Sequence, residues 1–193
     1  RNSRIIGRRF KLVHITFPNE VIEVTTFRSG QDSQSDSIEI NDKGRIIRDN
    51  KWGTQEEDVV RRDLTINSIY FDPLSDKIVD YTGGVKDLES KKIRFIGDAE
   101  KRLIEDPVRI LRVIRFAAKL NFEIEPIIKK AITKHKNQLL DMSSARIYEE
   151  IIKMFLAGYA LKTYQLLQEY DLFDLLFPHL ENSKENFNEF YEN

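Results

Sequence analysis

Three arginines spaced three residues apart, Arg109, Arg112 and Arg115, are the strongest chemical signal in the chain. At about 100° per residue that spacing draws one slanting stripe along a helix. From Lys101 to Lys119 there are six basic residues (Lys101, Arg102, Arg109, Arg112, Arg115, Lys119) against Glu105 and Asp106, a local charge of +4. Ile110, Val113, Ile114 and Ala117 fall on the opposite side and are expected to face a core. Such a stripe suits triphosphate oxygens, or it presents planar guanidinium donors to a base edge. A solvated helix face is the plain alternative. Asp106, at the expected helix start, either accepts from a base amine or caps the helix.

A second cluster is Glu56-Glu57-Asp58-Val59-Val60-Arg61-Arg62-Asp63-Leu64-Thr65-Ile66-Asn67, where an acidic run meets an Arg-Arg-Asp triplet. Arg62 there could hold a phosphate or ribose, and Asp63 a metal ion or a hydroxyl. The bland reading is a local Arg62–Asp63 ion pair, worth about 0–1 kcal/mol at a surface. Glu23 is the third candidate: a carboxylate in an apolar strand, on the face of Val21, Thr25 and Phe27. It needs a partner there. Arg28, Arg8 or a divalent metal could serve, magnesium being a hard ion that prefers oxygen ligands.

Other chemistries are not supported. With no cysteine, disulfides, thiolate zinc sites and thiol catalysis are excluded. His14, His135 and His179 are scattered and receive no role, while Trp52 and Tyr148 are expected to pack rather than stack on a ligand. Neither a Gly-x-x-x-x-Gly-Lys loop nor a Gly-x-Gly-x-x-Gly turn occurs. Lys and Arg number 31 and Asp and Glu 32, so any nucleic-acid contact must come from a local patch. No apolar run approaches the roughly 20 residues of a membrane helix, and a cytoplasmic location is expected.

The elements that must carry these residues follow from periodicity. Residues 10–17 and 21–28 alternate as strands and suggest an antiparallel hairpin about Pro18-Asn19-Glu20. Residues 29–50 are polar and read as a mobile loop. Thr54 with Glu57 fits a capping box, so a short helix should run through Arg61-Arg62. Residues 66–71 and 77–80 read as a second hairpin turning at Asp72-Pro73, and Gly83-Gly84 as a break and hinge. Beyond it the pattern is helical, with Asp106-Pro107 as N-cap and first helical position, then helices over 125–140, 143–157 and 159–173. No internal repeat is evident.

Taken in order, Gly7-Arg8-Arg9-Phe10, Ile22-Glu23-Val24-Thr25-Thr26-Phe27-Arg28, Arg61-Arg62-Asp63-Leu64-Thr65-Ile66-Asn67, Asp80-Tyr81-x-Gly83-Gly84-x-x-Asp87-Leu88 and Glu105-Asp106-Pro107-x-Arg109-x-Leu111-Arg112-x-x-Arg115-Phe116-Ala117-Ala118 resemble the class II nucleotidyltransferases. These are the tRNA CCA-adding enzymes and the bacterial poly(A) polymerases. The resemblance covers about residues 5 to 180. Gly7-Arg8-Arg9-Phe10, Ile46-Ile47-Arg48-Asp49-Asn50 and Asn67-Ser68-Ile69-Tyr70 are most similar to bacterial poly(A) polymerases.

The resemblance implies an α+β fold. A polymerase-β-like nucleotidyltransferase head with an antiparallel or mixed sheet (1–84) leads to a helical neck that binds RNA and nucleotide (85–180). A truncated acidic end (181–193) follows. It implies template-independent transfer of AMP from ATP to RNA 3′ ends, with Mg2+ and release of pyrophosphate, by a monomer. Asp63 and Glu23 compete as the third catalytic carboxylate, with Glu23 also a metal ligand. Arg62, Asp106, Arg109, Arg112 and Arg115 bind nucleotide. The family's Gly-Gly…Arg-Asp turn and Asp-x-Asp pair, which hold two magnesium ions, are expected ahead of Arg1. The chain therefore reads as a fragment, inactive alone. CCA addition is the runner-up activity, and a non-catalytic RNA-binding module on the same scaffold is the third reading.

Overall fold

The computed structural model describes residues 2–6, 12–29, 39–40, 46–48 and 52–178. Gly7-Arg8-Arg9-Phe10, Asp49-Asn50, His179 and the acidic end 181–193 lie outside the described residues. The chain forms two compact units, Arg1–Arg62 and Asp63–Asn193.

The first unit carries the expected hairpin as part of a three-stranded antiparallel sheet. Strands β1 (Ser3–Ile6), β2 (Leu12–Thr16) and β3 (Val21–Val24) lie in that order. Their register sets Val13 beside Ile5 and Val24, and His14 beside Arg4 and Glu23. Alternation thus puts Ile5, Val13 and Val24 on one face and the ionisable row of Arg4, His14 and Glu23 on the other. The turn closes with the Phe17 N–H donating to the Glu20 carbonyl at 2.8 Å. β3 stops at Val24, short of the expected Arg28, whose backbone instead bridges to Trp52. Within the expected loop, β4 (Glu39–Ile40) and β5 (Ile46–Arg48) pair antiparallel.

Helix α1 (Gln55–Arg61) starts on the anticipated capping box. The Thr54 hydroxyl accepts from the Glu57 N–H at 3.2 Å, and the Glu57 carboxylate accepts from the Thr54 N–H at 2.8 Å. Glu56, Glu57 and Asp58 add negative charge at the positive end of the helix dipole.

The second unit opens with a 3₁₀ turn over Thr65–Asn67, so the second hairpin begins later than expected, as β6 (Ile69–Asp72) paired with β7 (Lys77–Asp80). The Asp80 carboxylate collects four backbone N–H groups, of Thr82, Gly83, Gly84 and Val85, at 2.9–3.0 Å. Burial opposes its ionisation, yet these donors prevail and hold its pKa below the usual carboxylate range. Gly83 sits at φ +77°, and a side chain on Gly84 would meet the Thr65 carbonyl at 2.3 Å. The Gly83-Gly84 pair therefore starts helix α2 (Gly84–Glu89) tight against the turn that follows Asp63.

Next come β8 (Lys92–Ile93), α3 (Ala99–Glu105), α4 (Arg109–Leu120), β9 (Glu123–Ile124), α5 (Pro126–His135), α6 (Ser144–Phe155), α7 (Ala160–Glu169) and α8 (Phe173–Leu176). The pairing of β8 with β9 is parallel and only two residues long, a feature periodicity cannot register. The core of this unit gathers around α4, whose Ile110, Leu111, Val113, Ile114 and Ala117 are wholly buried. Each fully buried Val, Leu or Ile side chain contributes about 1.5–3 kcal/mol. Asn121, in the left-handed conformation at φ 52°, ends α4, and the Phe122 N–H returns to the Ala117 carbonyl.

α4 begins at Arg109, not Pro107. Asp106 closes α3 as its C-cap, and its Oδ1 accepts from the Val108 N–H at 3.3 Å. Two short helices meet at the Asp-Pro step because proline disfavours helical angles in the residue before it. Among the described residues no helix is long and apolar enough to cross a membrane.

Candidate functional site

Asp63 is fixed by backbone before its side chain makes any contact. Its carbonyl accepts from the Ile96 N–H at 2.9 Å, Leu64 bridges Phe95, and the Thr65 N–H donates to the Arg94 carbonyl at 3.0 Å. Beneath this segment the buried Asp87 accepts from the Thr65 hydroxyl at 2.6 Å and from Arg94 Nε at 2.9 Å. The Asp87 of the Gly-Gly-x-x-Asp-Leu run is thus a brace for the Asp63 segment.

The Asp63 carboxylate is buried, at 7% exposure, and fully engaged. Oδ1 accepts from its neighbour's N–H on Leu64 at 2.8 Å and from Asn67 at 3.3 Å, and Oδ2 accepts from Arg112 Nε at 2.5 Å. Burial pushes its pKa up, but the Arg112 guanidinium and these donors outweigh it, so the carboxyl sits below its ordinary range. Reciprocally, burial works against the Arg112 cation, while Asp63, Glu150 and Asp106 together stabilise it and raise its pKa.

The arginine stripe exists, and each member meets a carboxylate. Arg109 donates to Glu105 at 2.8 Å and to the Arg102 carbonyl at 2.8 Å. Its hydrogen bond, joined by that from Arg102, lowers the Glu105 pKa against a smaller effect of burial. Arg115 Nε lies 3.0 Å from Glu150 Oε2 as a charge contact whose angle misses hydrogen-bond geometry. Its guanidinium also stands 4.6 Å from the centre of the Phe116 ring. Asp106 Oδ2 accepts from Arg146 at 2.7 Å. Six cations (Arg102, Arg109, Arg112, Arg115, Arg146, Lys153) therefore share four carboxylates (Asp63, Glu105, Asp106, Glu150). A surplus of positive charge over partly exposed arginines can take up a polyphosphate, and Asp106 can accept from an amine.

Sequence reasoning missed Arg146 and Glu150. They stand one turn apart on α6 with Lys153 three further on, a charged face at helical spacing that was available to be read. Asn67, a donor to Asp63, was visible as part of the motif but not as a contact.

Glu23 and Arg62 belong to the first unit. Glu23 is exposed, and its partner is His14 Nε2 at 2.9 Å across the strand pair, rather than Arg28; Arg8 is outside the described residues. His14 thus acquires a structural role. Arg62 is held by Asp58, with Nε donating to Oδ2 at 3.1 Å. With Phe27, Arg28, Asp58 and Arg61 it lines a concavity of about 280 Å³. Trp52 and Tyr148, expected to pack, are 81% and 63% exposed.

The described residues do not fit a magnesium seat. Among them no three acidic or histidine side chains converge, Glu23 is engaged by His14, and Asp63 by Arg112.

Comparison with known proteins bears on this arrangement. Residues 1–94 match the family model for the poly A polymerase head domain, and residues 121–184 that for the probable RNA- and SrmB-binding site of polymerase A. Poly(A) polymerase I of Salmonella typhi is 46% identical over 92% of this chain and 39% of its own length. The CCA-adding enzyme of Bacillus licheniformis is 34% identical over 81% of this chain and 38% of its own length. The crystal structure of the Bacillus stearothermophilus CCA-adding enzyme in complex with CTP superposes with a TM-score of 0.67 at 30% identity, covering 88% of this chain and 39% of that one. The chain spans about two-fifths of the length of these relatives. With head and RNA-binding models in sequence order, an α+β fold shared with CCA-adding enzymes, and the arginine helix between, the chain belongs to the nucleotidyltransferase family of bacterial poly(A) polymerases and CCA-adding enzymes.

Proposed function

We propose that the full-length protein is a polynucleotide adenylyltransferase. It moves AMP from ATP to the 3′-hydroxyl of RNA, messenger and small RNAs included, without a template, and releases pyrophosphate. The observation that carries this reading is the cation-rich face of α4. Arg112 is held by Asp63 yet remains 36% exposed, so a phosphate can approach it. In the reaction the 3′-oxygen attacks the α-phosphorus as the bond to pyrophosphate breaks, and most of the catalysis is positioning and charge neutralisation. Arg109, Arg112 and Arg115 supply cations to the phosphates, Asp106 accepts from the exocyclic amine of the base, and Asp63 holds Arg112 in place. Arg62, beside its concavity, is a further nucleotide contact, and Glu23 is the competing carboxylate of the head. The head is assigned to residues 1–84 and the neck to 85–180.

Magnesium belongs to the proposed reaction of the full protein. The described carboxylates do not seat it, and none of the steps above runs through it. The protein is proposed to act as a cytoplasmic monomer.

CCA addition is a second reading, favoured by the likeness to a CCA-adding enzyme bound to CTP. Incubating the full-length protein and Mg2+ with ATP or CTP, on an oligoribonucleotide and on tRNA lacking its CCA end, separates the two. Long tails from ATP alone are expected. Efficient CTP incorporation on the tRNA would replace this reading with CCA addition, and RNA binding without incorporation would leave a non-catalytic module.

A further inference from the structure

Asp106 is held at both oxygens, and the second hold comes from an element that nothing in the Asp-Pro-x-Arg run announces. Oδ1 accepts from the Val108 N–H at 3.3 Å, and Oδ2 accepts from the Arg146 guanidinium at 2.7 Å across 40 residues. Arg146 lies in the first turn of α6, a helix anchored by the wholly buried Met154 and by Ile147, Ile151 and Phe155 against the core. One turn on, α6 supplies Glu150, 5% exposed, to Arg115. The same helix therefore grips the carboxylate that closes α3 through a cation and the last arginine of α4 through an anion.

We propose that Arg146 is a positioning and specificity-determining residue for the nucleobase. Resting on the adenylyltransferase reading above, the assignment adds a residue outside the Asp106–Arg115 segment. A carboxylate on a three-residue loop between two helices has free rotation about its side-chain bonds unless tied. The Arg146 donor fixes the carboxylate plane, and a carboxylate presents acceptor lone pairs only. A base edge with an exocyclic amine donates to it. A base edge with a carbonyl at that point sets acceptor against acceptor and is disfavoured, because a site built to accept from an amine leaves its polar groups unmatched without one. At 52% exposure the Arg146 side chain is itself reachable, and removing it leaves no apolar void.

The test is steady-state kinetics of the full-length protein carrying Arg146→Ala, Arg146→Lys or no change, with ATP and GTP as competing substrates and a thermal melt of each. Expected for Arg146→Ala are a KM for ATP raised about tenfold, the scale of one charge-assisted hydrogen bond, and a reduced ATP-over-GTP preference. A smaller change in kcat and partial recovery with Arg146→Lys complete the expectation. A KM and preference unchanged in a folded variant would overturn the proposal. So would a loss of kcat alone that tracks melting temperature, which marks a merely structural residue. Should Arg146→Ala not fold, the same comparison on Arg146→Lys decides, with an intact KM and preference counting against the role. Failure of the unmutated protein to use ATP at all would instead remove the adenylyltransferase reading on which it rests.

Discussion

Arg112 and Asp63 are 49 positions apart, and the Arg112 Nε–H donates to Asp63 Oδ2 at 2.5 Å. This contact ties the start of the second unit's chain to the middle of its central helix. It also fixes the direction in which the Arg112 guanidinium points. Asp63 is 8% exposed at its side chain and Arg112 36%, so the carboxylate has given up far more water than its partner.

Removing either partner should therefore cost stability, and removing both should cost less than the sum. Asp63→Asn, Arg112→Gln and the double variant, compared by urea denaturation, are expected to give a coupling energy of about 1–3 kcal/mol. The upper range is tempered by the partial exposure of Arg112. Additive losses would show that the pair is incidental.

The same carboxylate predicts an acid limb. Its pKa in the folded chain lies below the ordinary 3.8, because Arg112 and two further donors overcome the penalty of burial. A lowered folded value means that the contribution is complete above 3.8 and is lost as pH falls through the folded pKa. As pH falls below 3.8 the unfolding free energy should fall less steeply in Asp63→Asn than in the parent, since the amide has no proton to take up. Parallel slopes would assign the acid limb elsewhere, with Asp80, whose pKa is also lowered, the first alternative.

Local features of this fold were legible and distant ones were not. Thr54 and Glu57 announced α1 because a capping box is completed within four residues. The interval between Arg109, Arg112 and Arg115, against Ile110, Val113, Ile114 and Ala117, announced α4 and its buried side. The start of α4 lies beyond the expected Asp106-Pro107 because Asp106 has the sequence signature of an N-cap while serving as the C-cap of α3. What the arginines touch was not legible. Asp63 and Glu150 are brought to them by packing of the core, and no spacing rule encodes a partner 49 residues away. Glu23 shows the opposite limit: an apolar strand calls for a partner to its carboxylate but does not say which, and the sheet leaves Glu23 exposed and paired with His14. Gly83-Gly84, weak as a motif, has a clear reason in three dimensions, the approach of α2 to Thr65.

One face of α4, preceded by Asp106, is proposed to receive the nucleotide. A crystal structure of the full-length protein with a non-hydrolysable ATP analogue tests it most directly. The adenine amine is expected within hydrogen-bond reach of Asp106, about 3 Å, and the phosphates beside Arg109, Arg112 or Arg115. An analogue bound elsewhere, with all three arginines still closed on Glu105, Asp63 and Glu150, would contradict it.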